Sequence, residues 1–124
     1  MRGGFALASA GAGLAHAMAQ AVGGHYGISH GAVNALCLSP ALRFNAAVAG
    51  PEIGRLADAL GAGDAADRCE MLARLAGHRR LRDLGVPRQD LPELAALTAT
   101  RPGAAANPRV ASPAQILELL ESIW

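Results

Sequence analysis

Large apolar residues recur along this chain at intervals of three and four, and no stretch alternates apolar with polar over a useful length. The first spacing marks one face of an α-helix, and the missing alternation argues against strands, so the pattern predicts an all-α fold. An Ala-rich run of strong helix formers carries His16, and Gly23-Gly24 is expected to stop that helix, because glycine tolerates the positive φ of a C-terminal cap. After a short loop, His30-Gly31 opens a second apolar segment, and residues 32–48 read as one helix. Pro40 falls inside it, where it removes a backbone hydrogen bond and kinks the helix or begins a new turn.

Ala49-Gly50 breaks the pattern before Pro51, a good first helical residue. Ile53, Leu56, Ala57 and Leu60 then keep helical spacing, and Gly61 supplies the cap. Asp64 to Ala76 reads as a further helix with acidic residues first and Arg74, His78, Arg79 and Arg80 at or beyond its end, which suits the helix dipole. Its expected buried stripe is Cys69, Leu72 and Ala76. Leu81 to Pro87 reads as a turn into Asp90, an expected N-cap with Glu93 three residues on, as in a capping box, ahead of the helix ELAALTAT. Arg101 to Val110 reads as loop, with two prolines and a glycine. Ser112-Pro113-x-Gln115 brings cap, first-turn proline and capping-box glutamine together, and Ile116, Leu119, Leu120 and Ile123 line one face of the helix that follows. Trp124 is expected to cover that core from the side.

Composition narrows the picture. The 124 residues are 52% apolar, enough for one small helical domain with a real core, and residues 1–124 are read as a single all-helical domain. Aromatic residues make up only 3%, so that core must be built from Ala and Leu. Net charge is +1 and every basic residue is arginine, a balance that points to neither nucleic acid nor an anionic membrane as partner. Cys37 and Cys69 lie in apolar helical patterns and not in a CxxC spacing, which reads as buried reduced thiols in a cytoplasmic protein. Met1-Arg2 and the mildly apolar stretch behind it imitate a secretory signal, but one diluted by Ala and Gly. No stretch is long and apolar enough to span a bilayer.

Candidate chemistry concentrates in GLAHAMAQAVGGHYGISHGAVN, residues 13–34, which holds His16, His25 and His30. An imidazole on one helix and another at the start of the next can turn toward a common point across the loop. Imidazole nitrogen is a ligand for Fe, Zn, Ni or Cu, so the arrangement suggests a metal site. Two ligands do not fill a tetrahedral or octahedral shell, so others must come from elsewhere. On spacing alone such a pair is more often one core and one surface histidine. His78, in the exposed-looking run GHRRLRDLG, is a poor candidate.

The stretch GLAHAMAQAVGGHYGISHGAVNALCLSPALRFNAA resembles the signature of the iron-containing (group III) alcohol dehydrogenase family. The matching positions are Gly13, His16, Gly23-Gly24, His30-Gly31 and Asn34-Ala35, then Pro40 and Phe44-Asn45. The likeness continues in RLADALG, LRDLGVPRQDLPELA and ANPR, so it covers essentially the whole chain, and it reads the N-terminal stretch as an inner helix, not a signal. By this resemblance His16 and His30 are metal ligands for Fe2+ or Zn2+. Most members have a second histidine one turn after the first, near nicotinamide and substrate; here that position is Gln20, which hydrogen-bonds but does not titrate.

The resemblance implies the helical C-terminal domain of the dehydroquinate synthase-like, iron-containing alcohol dehydrogenase fold, and hydride transfer between a small alcohol or aldehyde and nicotinamide. Gln20 is then the substrate-facing catalytic candidate. The family's NAD(P)-binding half has no counterpart here: Gly11-x-Gly13 and Gly61-x-Gly63 lack the strand-to-helix context of a nucleotide turn. The isolated chain is therefore expected to be inactive by itself. A non-catalytic remnant or docking half, a partner of a separate nucleotide-binding polypeptide, a homo-oligomer and a maleylacetate reductase-like fragment stand as alternatives.

Overall fold

The computed structural model describes residues 13–61, 63–77 and 80–124, with His30 described by its backbone alone. The signal-like start and His78 lie outside the described residues. Helices α1 (Gly13–Tyr26), α2 (His30–Asn45), α3 (Gly50–Ala59) and α4 (Ala65–Leu75) come first. Short 3-10 turns at Leu81–Leu84 and Arg88–Asp90 lead into α5 (Leu91–Ala99), the single-turn α6 (Pro102–Ala105) and α7 (Pro113–Ser122). Among the described residues there is no strand, so the all-α expectation holds.

Helix α1 is the centre. Leu14, Ala15, Ala17, Met18, Ala19, Ala21, Val22 and Gly23 are all buried, against α2, α5 and α6. One core joins Leu14, Met18 and Val22 to Val33, Leu36 and Cys37 of α2, Leu91 and Leu94 of α5, and Ile116 and Leu120 of α7. A second, smaller cluster gathers Leu42, Leu56, Ala57, Ala65, Ala66 and Cys69 under α3 and α4. Small residues let the helices approach closely. A Cβ on Gly13 would stand 2.9 Å from the Gly103 carbonyl oxygen, and one on Gly103 would meet the Gly13 carbonyl.

Four local expectations are corrected. Gly23-Gly24 does not stop α1, which runs to Tyr26 and ends at Gly27 with φ of 65°. The Ile28 amide closes that end on the Gly23 carbonyl at 3.2 Å, the long bond of a Schellman cap. Residues 46–48 are turn and not helix. The buried stripe of α4 is Ala65, Ala66, Cys69 and Ala73, with Leu72 46% exposed, because the alanine face is the one narrow enough to pack on α2 and α3. Asp90 makes no side-chain cap; its carboxylate accepts from the Tyr26 hydroxyl instead.

Other expectations are met. Gly61 turns the end of α3 at φ of 65°, and Asp64 caps α4 by accepting from the Asp67 amide at 2.8 Å. Ser112 and Gln115 form both halves of the capping box, at 3.1 and 2.9 Å. Both cysteines are buried and free of disulfides. Trp124 covers the core edge, its indole N–H donating to the Val86 carbonyl at 2.7 Å between the Arg82 and Arg88 guanidiniums. One further expectation is corrected: the Pro-rich 101–110 segment, read as loop, contains the single turn α6.

Candidate functional site

The burial pattern of α1 isolates its polar residues. Within residues 13–24 of this helix, only Gly13, His16, Gln20 and Gly24 escape full burial, and their spacing of three, four and four places them on one strip; His25 and Tyr26 open at its last turn. His16 is exposed and Gln20 half-buried one turn further on. A helix enclosed on its other faces thus opens along a line that carries an imidazole and an amide. His16 is engaged in a further interaction within the fold.

His30 is the first residue of α2. The cap at Gly27 matters for its placement. The Gly23–Ile28 bond shows that the chain has stopped advancing along the α1 axis by residue 28. Ser29 is extended, with ψ of 125°, and its carbonyl accepts from Val33 at 3.3 Å to start α2. From there α2 packs along α1. Among the described residues, no three side chains of His, Cys, Asp or Glu gather as a metal group.

A second polar feature ends the site region. Tyr26 closes α1, and its hydroxyl donates to Asp90 at 2.5 Å, joining segments 64 residues apart. Desolvation by partial burial, and then Asp90 itself, raise the phenol above its ordinary range, so it stays a donor. The His25 ring packs edge-on against Tyr26, with centroids 4.7 Å apart. Asp90 has the sequence context of a cap and Tyr26 carries no local signal, since no local pattern reports a bond spanning 64 positions.

Other polar clusters serve the fold. Asn45 and Asn107, both buried, exchange hydrogen bonds at 3.0 and 2.7 Å. Arg109 donates to the Phe44 carbonyl at 2.8 Å and lies 4.0 Å over the Phe44 ring. Phe44-Asn45 and ANPR, distant in sequence, are thereby clamped together. A cleft of about 390 Å³ between α4 and α7 is lined by Glu70, Arg74, Arg80, Ser122 and Ile123. It shares no residue with the α1 strip, and Glu70 is already paired with Arg43 and Arg74. No helix among the described residues is long and apolar enough to cross a membrane.

Comparison with known proteins adds an independent line. A sequence model described as "Fe-containing alcohol dehydrogenase family, C-terminal" matches residues 1–124. The chain is 35% identical to 1,3-propanediol dehydrogenase of Citrobacter freundii, across 98% of its own length and 34% of that protein's. It is 31% identical to lactaldehyde reductase of Escherichia coli, again across 98% of itself and 35% of the relative. It thus spans about a third of the curated relatives it matches. In structure it is similar to a 1,3-propanediol oxidoreductase, with a TM-score of 0.77 and 29% identity over 90% of this chain and 32% of that one. An iron-containing alcohol dehydrogenase from Corynebacterium glutamicum superposes with a TM-score of 0.76 at 28% identity, over 89% of this chain and 31% of that one.

Proposed function

The chain belongs to the iron-containing alcohol dehydrogenase family, as its C-terminal domain, and on that premise we propose that it forms the metal-holding helical part of an NAD(P)-linked oxidoreductase for small alcohols and aldehydes. The observation that carries the reading is the strip on α1: along the buried body of that helix, residues 14–23, His16 and Gln20 are the two positions that open outward.

The donor set fits a divalent ion. His16 and His30 supply neutral nitrogen donors, which suit iron or zinc equally, and two such donors leave coordination positions for further ligands and substrate. An ion held there would supply Lewis-acid polarisation of the substrate's alcohol or carbonyl oxygen. The chain's own contribution is placement. His16 is fixed by a helix packed on its other faces, and His30 by the turn that starts α2. Gln20, one turn from His16, donates and accepts hydrogen bonds without titrating, so it orients a substrate hydroxyl and does not relay its proton. The nicotinamide cofactor, and the family's remaining metal ligands, belong to sequence beyond the residues matched here.

The test is a chimera in which this chain replaces the matching third of the Citrobacter freundii relative. It should retain bound metal and reduce a short aldehyde with reduced nicotinamide. His16→Ala within it should weaken metal binding beyond the roughly ten- to hundredfold typical of changes behind the ligands, and turnover should fall with it. A folded chimera that keeps stoichiometric metal after His16→Ala contradicts the assignment.

A further inference from the structure

His30, the first residue of α2, stands four residues beyond the end of α1, after a turn built around Gly27, so its position depends on what holds that end in place. The backbone contribution is the Gly23–Ile28 bond, and space there is tight: a Cβ on Gly23 would lie 3.3 Å from the Ile28 carbonyl oxygen. Ser29, the residue before His30, makes no side-chain cap to α2. The last helical residue, Tyr26, is instead tied laterally to Asp90.

Asp90 is an informative partner. It precedes Leu91 and Leu94, both enclosed in the core against α1, so it is anchored to the rigid part of the molecule. It also occupies the N-cap position of α5 yet leaves the α5 amides uncapped by its side chain. Its backbone is helical, at φ of −87° and ψ of −11°, unlike that of a capping residue, which leaves the carboxylate to the α1 terminus.

We propose that Tyr26 and Asp90 are a positioning pair, whose hydrogen bond pins the end of α1 to the start of α5 and so sets where His30 enters the metal site. The inference rests on the metal reading above for its consequence, and on the Tyr26–Asp90 geometry for its cause. Neither residue is a ligand. Breaking the bond leaves both core faces intact but frees the Gly27–Ser29 turn, spreading His30 over several positions and lowering the fraction competent to share an ion with His16. Losses of about tenfold in metal affinity are the scale seen when support behind a ligand is removed.

The experiment uses the 124-residue chain with Zn2+ alone as probe, followed by calorimetric titration and by amide hydrogen exchange. Tyr26→Phe and Asp90→Ala should each weaken Zn2+ binding about tenfold. They should also speed exchange at Ile28 and Val33 while leaving the amides of α7 unchanged. Asp90→Asn, which keeps an accepting oxygen, should restore both. His16→Ala serves as the reference for the metal reading itself. Should His16→Ala lose Zn2+ while Tyr26→Phe and Asp90→Ala bind as well as the parent chain, the positioning role is wrong and the metal reading stands. Should His16→Ala bind like the parent, or no form bind Zn2+, the metal reading fails in this chain and exchange decides: selective loosening at Ile28 and Val33 supports the pin, and unchanged or uniformly faster exchange overturns it. Asp90→Ala keeps the test open if Tyr26→Phe does not fold.

Discussion

Cys37 lies wholly enclosed between α1 and α2, and burial alone pushes its thiol up from 9.0 to about 12. Cys69 is raised too, by burial and then by Asp64. The sign of the consequence is definite. Below pH 9 the thiol is neutral both folded and unfolded; above it the unfolded chain ionises while the folded one cannot, so stability falls as pH rises from about 9 to about 12. The raised Tyr26 phenol acts in the same direction. Urea midpoints measured across that window should fall steadily in the parent chain and less in Cys37→Ala. Equal slopes would mean that Cys37 is not the group responsible. At this scale the sequence was partly transparent. Burial of both thiols and the placement of His16 and Gln20 on one helix face followed from spacing, because a helix converts intervals of four into neighbours. The Tyr26–Asp90 bond did not, because Asp90 satisfied every local rule for a cap and was used elsewhere.

Between helices, glycine is the residue whose two roles diverge most. Gly103 sits in α6 with its Cα against the Gly13 carbonyl, so an added methyl meets backbone that cannot move aside. Gly54 sits in α3 with nothing within 4 Å of a built Cβ. Helix propensity favours alanine at both by about 1 kcal/mol, and only the first has a clash to oppose it. Gly103→Ala should therefore destabilise by about 1–3 kcal/mol, the usual scale of overpacking, while Gly54→Ala raises the melting temperature by a few degrees. Thermal melts of the two variants check the pair; matching shifts would show that the α1–α6 contact is looser than described. The misplaced end of α1 belongs here as well. Gly23 and Gly24 carry the usual stop signal, but Gly23 packs inside the core, and the left-handed residue is Gly27, three positions later. Which of several glycines ends a helix is decided by packing, which single-chain spacing does not report.

In the molecule as a whole, the parts written far apart are the ones that meet. Phe44-Asn45 and ANPR close on each other through the buried Asn45–Asn107 exchange, and the last residues of the chain bond back to the 3-10 turn at Leu81. Each segment was recognisable from its own residues, and their pairing was not, since no local period encodes a partner. The result is a helical domain centred on α1 and open along one strip of it. The central claim is that His16 and His30 serve one ion, and Zn2+ titration followed by NMR of the histidine side chains tests it most directly. The account predicts that the His16 and His30 ring signals move together and saturate at a single stoichiometric equivalent, while those of His25 and His78 stay put. Independent responses of His16 and His30, or a shift of His25 or His78 in their place, would contradict it.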